Sequence, residues 1–235
     1  MNLLKNLPEV VKNLLIINIL FYIATFMIGG QDLNLVRELG LFYFDSPYFA
    51  PYQLITHMFM HGGLMHIGFN MFALVMFGSN LERMWGGKRF LIFYLVTGFG
   101  AAALHMGVNM IQVYNAVGSL TPGTIQGLTE GYQFTGPNAS ILNGAYLTPT
   151  VGASGAIYGL LMAFAVLFPN TELFLIFIPV PIKAKYFVPG LIIIEVFLGV
   201  SQFSGDNIAH FAHLGGMLFG YILLKMWGKN RNEFY

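Results

Sequence analysis

Residues 148–159 read TPTVGASGAIYG, and the strongly apolar run AIYGLLMAFAVLFP covers residues 156–169. Ser154 therefore stands among small residues at the mouth of a segment apolar enough to lie in a membrane. A serine at the start of a helix is a favoured N-cap. A serine hydroxyl beside a suitable base is instead a nucleophile, and the rest of the sequence has to distinguish these two roles.

The composition is that of a membrane protein. Of 235 residues, 56% are hydrophobic and 9% are charged, whereas soluble domains carry about 25% charged residues. We therefore expect the lipid bilayer to surround most of the chain. The net charge of +1 predicts no nucleic-acid or acidic partner. The absence of cysteine excludes a disulfide, a thiol nucleophile and a thiolate metal site.

Six apolar segments approach the roughly 20 residues that a helical span needs. They are residues 12–30, 54–79, 90–112, 154–168, 186–203 and 207–227. The sequence thus predicts an all-α, polytopic membrane protein, with residues 1–235 forming one domain built as a six-transmembrane-helix bundle. The fourth segment is short, so we expect its N-terminus to begin inside the bilayer.

Basic residues predict the orientation of this bundle. Six spans put both termini on one side, and placing that side in the cytoplasm leaves only Arg37 in the outer loops. The inner segments then hold Lys5, Lys12, Arg83, Lys88, Arg89, Lys183, Lys185, Lys225, Lys229 and Arg231. The positive-inside rule therefore predicts a multi-pass inner (cytoplasmic) membrane protein with both termini cytoplasmic. A long loop at roughly 114–150 would then lie outside.

Polar residues within spans are costly, and so are functional candidates by default. They are His57, His61, His66 and Asn70 in the second span, Ser154 in the fourth, and His210 and His213 in the sixth. His66, Ser154 and His213 each lie 14 residues above a residue at the cytoplasmic end of their span, namely Asn80, Phe168 and Trp227. That separation corresponds to about 21 Å of helix rise, so we expect the three side chains at one depth.

Small residues predict which spans touch. They recur four apart, as Gly155 and Gly159 on the fourth span and Gly216 and Gly220 on the sixth. Such surfaces let helix backbones approach closely. If the two surfaces meet, His213 comes beside Ser154 and can take its hydroxyl proton. The free N–H groups at the start of the short fourth span would then offer an oxyanion site.

The chain resembles the rhomboid intramembrane serine proteases. The matching pieces are HGGLMHIGFN at 61–70, GASG at 152–155 with Tyr158 four residues after the serine, and AHLGGMLFG at 212–220. Their order and their six-span setting match as well. The resemblance covers roughly residues 12–227 and implies a serine endopeptidase that cleaves single-span or polytopic membrane protein substrates in or near the bilayer.

The resemblance also implies roles for individual residues. Ser154 would be the nucleophile and His213 the general base. His66 and Asn70 would donate to the oxyanion, together with the backbone N–H groups of Ser154 and Ala153. The supporting residues would be Tyr158, stacked on the catalytic imidazole, and the glycines Gly152, Gly216 and Gly220. Glu82-Arg83 resembles a structural element of the family.

The family's serine–histidine dyad needs no cofactor, no metal and no carboxylate. Along the sixth span, the acidic residue nearest to His213 is Asp206, about 10 Å higher by helix rise. One departure from the family is the absence of a Trp-Arg pair before the second span, where this chain has Ala50-Pro51-Tyr52-Gln53.

Other interpretations stay open at this point. Ser154 could be only an N-cap, and His210 is the rival base. A metalloprotease is disfavoured because HExxH is absent and no intramembrane acidic residue is expected beside the histidines. The third candidate function, after the serine protease and the metalloprotease, is a pseudoprotease that binds membrane helices without cutting them. Glu195, near the middle of the fifth span, is expected to form hydrogen bonds, with gating or water retention as the alternative. We expect His57, His61 and His105 to be structural.

Overall fold

Helices make up most of the described chain. The computed structural model describes residues 6–27, 34–121, 133–175, 178–201 and 209–228. The α-helices in these ranges are α1 (Glu9–Met27), α2 (Leu35–Leu39), α3 (Gln53–Thr56), α4 (Leu64–Ala73), α5 (Ser79–Trp85), α6 (Gly87–Val117), α7 (Ala139–Leu147), α8 (Ser154–Leu167), α9 (Ala184–Ser201) and α10 (His210–Trp227). A 3₁₀ turn, His57–Phe59, follows α3, and a π-helical turn, Leu74–Gly78, joins α4 to α5. Strands β1 (Glu172–Leu175) and β2 (Ile178–Lys183) pair antiparallel between α8 and α9.

Four helices in the described residues are long and apolar enough to cross a membrane, judged by length and composition. They are Glu9–Met27, Leu64–Trp85, Gly87–Val117 and Ala184–Ser201. Helix α8 is apolar but shorter, and the histidines and glycines of α10 lower its hydropathy. The fold is therefore mostly helical with several membrane-crossing helices, while the count of six spans stays a prediction.

The second predicted span differs most from the observed helix. The chain is extended at Met60, and the long helix begins at Leu64 rather than at residue 54. Gly62 and Gly63 separate it from the short helical turns before it, because glycine is a poor helix former. His57 and His61 consequently lie outside the helix that carries His66 and Asn70.

Some sequence predictions fall outside the described residues. These are residues 28–30 of the first predicted span, 202–203 of the fifth, 207–208 of the sixth, Asp206, and the basic residues Lys5, Lys229 and Arg231 that the orientation uses. Within the predicted loop at 114–150, α6 continues to Val117 and α7 occupies Ala139–Leu147. Residues 122–132 of that loop are not among those described.

Helices α6, α8 and α10 pack against one another at the centre of the fold. Glycines allow this packing, since a Cβ atom on Gly216 would overlap the carbonyl group of Gly155. One turn further on, a Cβ on Gly220 would lie 3.1 Å from the carbonyl oxygen of Gly159. A Cβ on Gly155 would in turn overlap the side chain of Ala101 on α6. The backbones of α8 and α10 therefore touch directly along the face that carries Ser154.

A buried carboxylate fixes the start of α1. The Glu82 side chain accepts hydrogen bonds from the backbone N–H groups of Val10, at 2.9 Å, and Val11, at 2.7 Å. These are first-turn N–H groups that have no partner within the helix, and their dipole favours a negative charge. Arg83 donates to the backbone oxygen of Asn6 at 2.9 Å. The Glu82-Arg83 pair thus ties α5 to the N-terminal helix.

A small aromatic cluster anchors α7. The rings of Tyr43 and Tyr146 lie 5.2 Å apart, and the Tyr146 hydroxyl donates to Asp45 at 2.9 Å. The Ser46 hydroxyl donates to the backbone oxygen of Tyr146 at 2.8 Å. Burial, followed by the nearby Asp45 charge, raises the pKa of Tyr43 to about 12. Tyr43 therefore stays protonated at neutral pH and donates a hydrogen bond.

The chain that enters α8 is held from three sides. Leu41 and Thr150 form a two-hydrogen-bond bridge, with N–H to O distances of 2.9 and 2.8 Å. The Thr150 hydroxyl lies 2.8 Å from Nε2 of His105 on α6. The N–H of Gly152 donates to the His57 carbonyl at 2.9 Å. Irregular backbone at membrane depth needs such internal partners, and these contacts position the residues that precede Ser154.

We predict that Gly216→Ala destabilises the protein and disrupts the pairing of α8 with α10, because its methyl group overlaps the Gly155 carbonyl. Overpacking of this kind costs about 1–3 kcal/mol. The apparent unfolding temperature in detergent micelles measures the effect. The matched control is Gly107→Ala in α6, where a Cβ has open space, so its unfolding temperature should hold or rise. Equal unfolding temperatures for the two variants would refute the close contact.

We predict that Glu82→Ala lowers the free energy of unfolding by about 1–3 kcal/mol, the usual cost of leaving buried donors unpaired. Two backbone N–H groups of α1 lose their acceptor in this variant. Thermal unfolding in micelles again provides the measurement. The control is Glu172→Ala, which removes an exposed carboxylate from β1. The capping role is contradicted if both variants unfold at the wild-type temperature.

Candidate active site

Ser154 is the first residue of α8, and its hydroxyl does not cap the helix. The N-cap position belongs to Ala153, which forms no side-chain capping bond. The Ser154 hydroxyl instead lies 2.9 Å from Nε2 of His213, a residue 59 positions further along the chain. The contact spans the glycine-lined interface between α8 and α10. A serine hydroxyl paired with an imidazole in this way has the geometry of an activated nucleophile.

His213 is buried in the first turn of α10 and is held by Tyr158. The two rings are stacked, with centroids 4.0 Å apart and planes only 9° from parallel. Tyr158 lies one turn after Ser154 on α8, so both residues that contact the imidazole come from one helix face. This stack fixes the plane of the imidazole while Nε2 contacts the serine.

Glu195 of α9 joins the same cluster. Its Oε1 lies 3.1 Å from Nδ1 of His213, and its Oε2 lies 2.6 Å from Nδ1 of His210. The Tyr158 hydroxyl donates to Oε1 at 2.6 Å. Glu195 therefore forms the hydrogen bonds that its mid-span position predicts. The expectation that no intramembrane acidic residue adjoins the histidines is wrong, because helix packing brings α9 against the start of α10.

His210 occupies a different position from His213. Its Nδ1 contacts Glu195, and its ring centroid lies 6.4 Å from that of His213 at nearly a right angle. The contact with Ser154 belongs to His213. The geometry thus favours His213 over His210 as the group that exchanges a proton with the serine.

His66 points its Nε2 toward the space beside Ser154. A Cβ on Gly152 would lie 2.7 Å from Nε2 of His66 and 3.5 Å from the Ser154 hydroxyl oxygen. Gly152 has a φ of +128°, a backbone conformation that residues other than glycine rarely adopt. The N–H of Gly62 donates to Nδ1 of His66 at 3.3 Å, which makes Nδ1 an acceptor. In the neutral ring the proton then sits on Nε2, where it can serve as a donor.

Asn70 is buried one turn beyond His66 on α4. Its side-chain amide points back along the helix and donates to the His66 carbonyl at 2.9 Å. An amide nitrogen carries two hydrogens, so this bond leaves one for another acceptor. The structure thus brings His66, Gly152 and Ser154 into direct proximity. Asn70 lies one turn after His66 on α4 and bonds to the His66 carbonyl.

Two of the three remaining histidines, His57 and His105, have side chains within hydrogen-bond distance of partners. Nδ1 of His57 lies 2.7 Å from the Gln53 carbonyl, and the His57 carbonyl accepts from Gly152. His61 is buried with its ring centroid 5.0 Å from that of His66. His105 contacts Thr150 and Asn109. These contacts support the segment that enters α8 and the position of His66.

In the described part of the chain, one cluster of side chains has ligand atoms close enough together to hold a metal ion. It consists of Glu195, His210 and His213. Two ligands of a tetrahedral zinc ion lie about 3.3 Å apart, given bonds of about 2.0–2.1 Å. The 2.6 Å between Nδ1 of His210 and Oε2 of Glu195 is shorter than this. That distance suits a shared proton, so the residues fit a hydrogen-bonded cluster better than a zinc site.

The sequence did not predict that Glu195 belongs to the site. An ionisable group near the middle of a span was a signal of function. No spacing rule joined it to His213, however, because it lies 18 residues earlier on a different helix. Inspection along the sixth span alone could find only Asp206, which lies outside the described residues.

Comparison with known proteins shows several similar chains. Rhomboid protease GluP of Bacillus subtilis (strain 168) is 30% identical over 171 residues, which are 72% of this chain and 25% of that protein. RHOMBOID-like protein 6, mitochondrial, of Arabidopsis thaliana is 28% identical over 174 residues, 73% of this chain and 42% of that protein. Rhomboid protein 1, mitochondrial, of Saccharomyces cerevisiae (strain ATCC 204508 / S288c) is 28% identical over 185 residues, 77% of this chain and 44% of that protein. The chain therefore matches between a quarter and under half of the length of these relatives.

A family model described as "Rhomboid domain" matches residues 49–230. This range includes Ser154, His213, His66 and Glu195, and it covers most of the chain. Together with the membrane-crossing helices, it makes the chain a multi-pass membrane protein that belongs to the rhomboid family.

Proposed function

We propose that this protein is an intramembrane serine endopeptidase in which Ser154 is the nucleophile and His213 is the general base. The single observation that carries the proposal is the 2.9 Å contact between the Ser154 hydroxyl and Nε2 of His213. The names of the relatives, which include a rhomboid protease, support the same activity. The substrates are single-span or polytopic membrane proteins, in keeping with a site built on membrane helices.

The proposed reaction is an acyl transfer in two steps. Nε2 of His213 takes the hydroxyl proton of Ser154 as the serine oxygen bonds to the peptide carbonyl carbon. The same nitrogen then gives that proton to the leaving amine, and the peptide C–N bond breaks. In the second step His213 removes a proton from water as the water oxygen bonds to the acyl carbon. The ester bond to Ser154 then breaks, and His213 returns the proton to the serine oxygen.

The oxyanion is stabilised at the N-terminus of α8. The backbone N–H groups of Ala153, the N-cap residue, and Ser154, the first helical residue, lie at the start of α8, where no intrahelical partner exists and the helix dipole is positive. Nε2 of His66 is directed at the space next to Gly152, and Asn70 supplies the remaining hydrogen of its amide. Donors that are already in place when the charge develops lower the barrier most effectively.

The proposed orientation follows the distribution of basic residues. Ten of the eleven Lys and Arg residues fall on one side when six spans are assumed, which supports cytoplasmic termini and a site that opens to the outer side. Both bacterial and mitochondrial proteins are among the relatives. The bacterial inner (cytoplasmic) membrane is the location proposed here.

A metal-dependent hydrolase is the second candidate, because Glu195, His210 and His213 have ligand atoms within 4.8 Å of one another. The short distance between His210 and Glu195 argues against it. A non-cleaving rhomboid relative that only binds membrane helices is the third candidate. The direct contact between Ser154 and His213 argues against it, since binding alone needs no nucleophile paired with a base.

We predict that Ser154→Ala and His213→Ala each abolish cleavage and still fold, whereas His210→Ala keeps measurable activity. The physical reason is that His213 is the histidine in contact with the Ser154 hydroxyl. Tagged single-span membrane proteins co-expressed with each variant would reveal cleavage. Purified wild-type protein should also be labelled by a fluorophosphonate at Ser154.

The same assay separates the three candidate functions. A chelator should leave cleavage unchanged if the serine acts as proposed. The metal-dependent hydrolase is supported instead if chelation stops cleavage and added zinc restores it. Absence of both cleavage and labelling in the wild-type protein would support the non-cleaving role.

We predict that His66→Ala and Asn70→Ala lower kcat by about 10²–10³, the usual effect of losing an oxyanion donor, with little change in KM. The loss falls on kcat because the donors bind charge present only in the transition state. Steady-state kinetics on a substrate found in the co-expression screen measure both parameters. Asn80→Ala is the matched control, because the Asn80 amide makes the same backward bond to Met76 at 2.8 Å, away from the site. If both site variants keep full kcat, their oxyanion role is excluded.

A further inference from the structure

We propose that Glu195 is a positioning residue of this site, which completes a serine–histidine–glutamate triad rather than leaving a dyad. Its carboxylate would hold the tautomer of His213 in which Nδ1 carries the proton and Nε2 is free to accept one. The inference rests on the proposed function of Ser154 and His213 and adds a third member to it. It departs from the carboxylate-free dyad that the family resemblance implies.

The first support is the line of contacts through the imidazole. Nε2 of His213 faces the Ser154 hydroxyl at 2.9 Å, and Nδ1 of the same ring faces Oε1 of Glu195 at 3.1 Å. Each ring nitrogen therefore has one partner. A carboxylate only accepts hydrogen bonds, so its partner nitrogen must carry the proton. A neutral ring then leaves Nε2 bare, as proton transfer from serine requires.

The second support is the way in which Glu195 is fixed. The side chain is only 6% exposed, and a carboxylate at this depth is costly unless its oxygens have donors. Tyr158 donates to Oε1 at 2.6 Å, while His210 lies 2.6 Å from Oε2. Both oxygens are thus occupied, which holds the carboxylate in one orientation facing His213.

Tyr158 contacts both His213 and Glu195. Its ring stacks on the His213 imidazole at 4.0 Å, and its hydroxyl bonds to the carboxylate that contacts the edge of that imidazole. The imidazole is therefore held on one face by the ring and at Nδ1 by the carboxylate. During catalysis Nε2 holds the proton from Ser154 only until the leaving amine takes it, Nδ1 keeps its own proton throughout, and Glu195 stays ionised while it stabilises the positive ring.

A purely structural role is the competing explanation. Glu195 connects α9 to Tyr158 on α8 and to His210 and His213 on α10, so it could serve only to join three helices. That role predicts a loss of thermal stability when the carboxylate is replaced, with no loss of serine reactivity in the folded protein. The triad predicts a loss of reactivity at temperatures where the protein remains folded.

The test measures Ser154 reactivity toward a fluorophosphonate in purified full-chain protein, which requires no known substrate. We expect Glu195→Gln to lower the maximal labelling rate, kinact, by about 10²–10⁴, with KI almost unchanged. A glutamine amide can donate to Nδ1 and select the wrong tautomer, the effect known from neutralising the acid of a serine triad. Glu195→Asp keeps the charge and should recover part of the rate.

The matched control is Glu82→Gln, which neutralises a buried carboxylate at the start of α1. It should lower the unfolding temperature without changing kinact. Equal kinact values for the wild type and Glu195→Gln would overturn the triad. Should the wild type fail to label, or Ser154→Ala label equally well, the proposed function fails and the Glu195 proposal falls with it.

A second measurement decides the matter if Glu195→Gln does not fold. In wild-type protein with ¹⁵N-labelled histidine, the nitrogen resonances of His213 report which ring nitrogen carries the proton. The assignment comes from the signal lost in His213→Ala. A protonated Nδ1 with a bare Nε2 supports the triad, and a protonated Nε2 with a bare Nδ1 overturns it.

Discussion

The direct backbone contact between α8 and α10 is the constraint on which the rest of the structure depends. At Gly155 and Gly216 the two helices approach so closely that a single methyl group would overlap a carbonyl. In a bilayer, where lipid is as apolar as a side chain, such close packing is itself a main source of helix association. The same contact sets Ser154 and His213 at 2.9 Å, so stability and chemistry share one interface.

The polar cluster at this interface has to satisfy itself internally. Ser154, Tyr158, Glu195, His210 and His213 lie on three helices, and their contacts join them into one connected network. In hydrocarbon surroundings each unpaired polar atom carries a large cost. The network therefore both fixes α9 against its neighbours and limits the imidazole of His213 to one plane. In the triad proposal the same bonds that remove this cost also set the proton on the nitrogen facing Glu195.

The chain that leads into α8 serves the site by remaining outside the helix. Gly152 adopts a φ of +128°, and its N–H is held by the His57 carbonyl. A side chain at this position would fill the space between His66 and Ser154. His105 and Leu41 hold Thr150 just before it. Several residues that carry no proposed chemistry thus keep one small space open beside the nucleophile.

Sequence by itself determined the membrane character, the helical class and the main pairing of the site. Glycines four residues apart predicted that the faces bearing Ser154 and His213 could meet, since small residues are readable from helical spacing alone. Helix spacing could not reveal Glu195 as the partner of His213, because only the packing of α9 against α8 and α10 brings them to 3.1 Å. The break before Leu64, which separates His57 and His61 from the helix of His66, lies inside the predicted second span at 54–79, where the span prediction did not use the signal of Gly62 and Gly63. Local periodicity determined which residues share a helix face, and tertiary packing decided which of those faces contact one another.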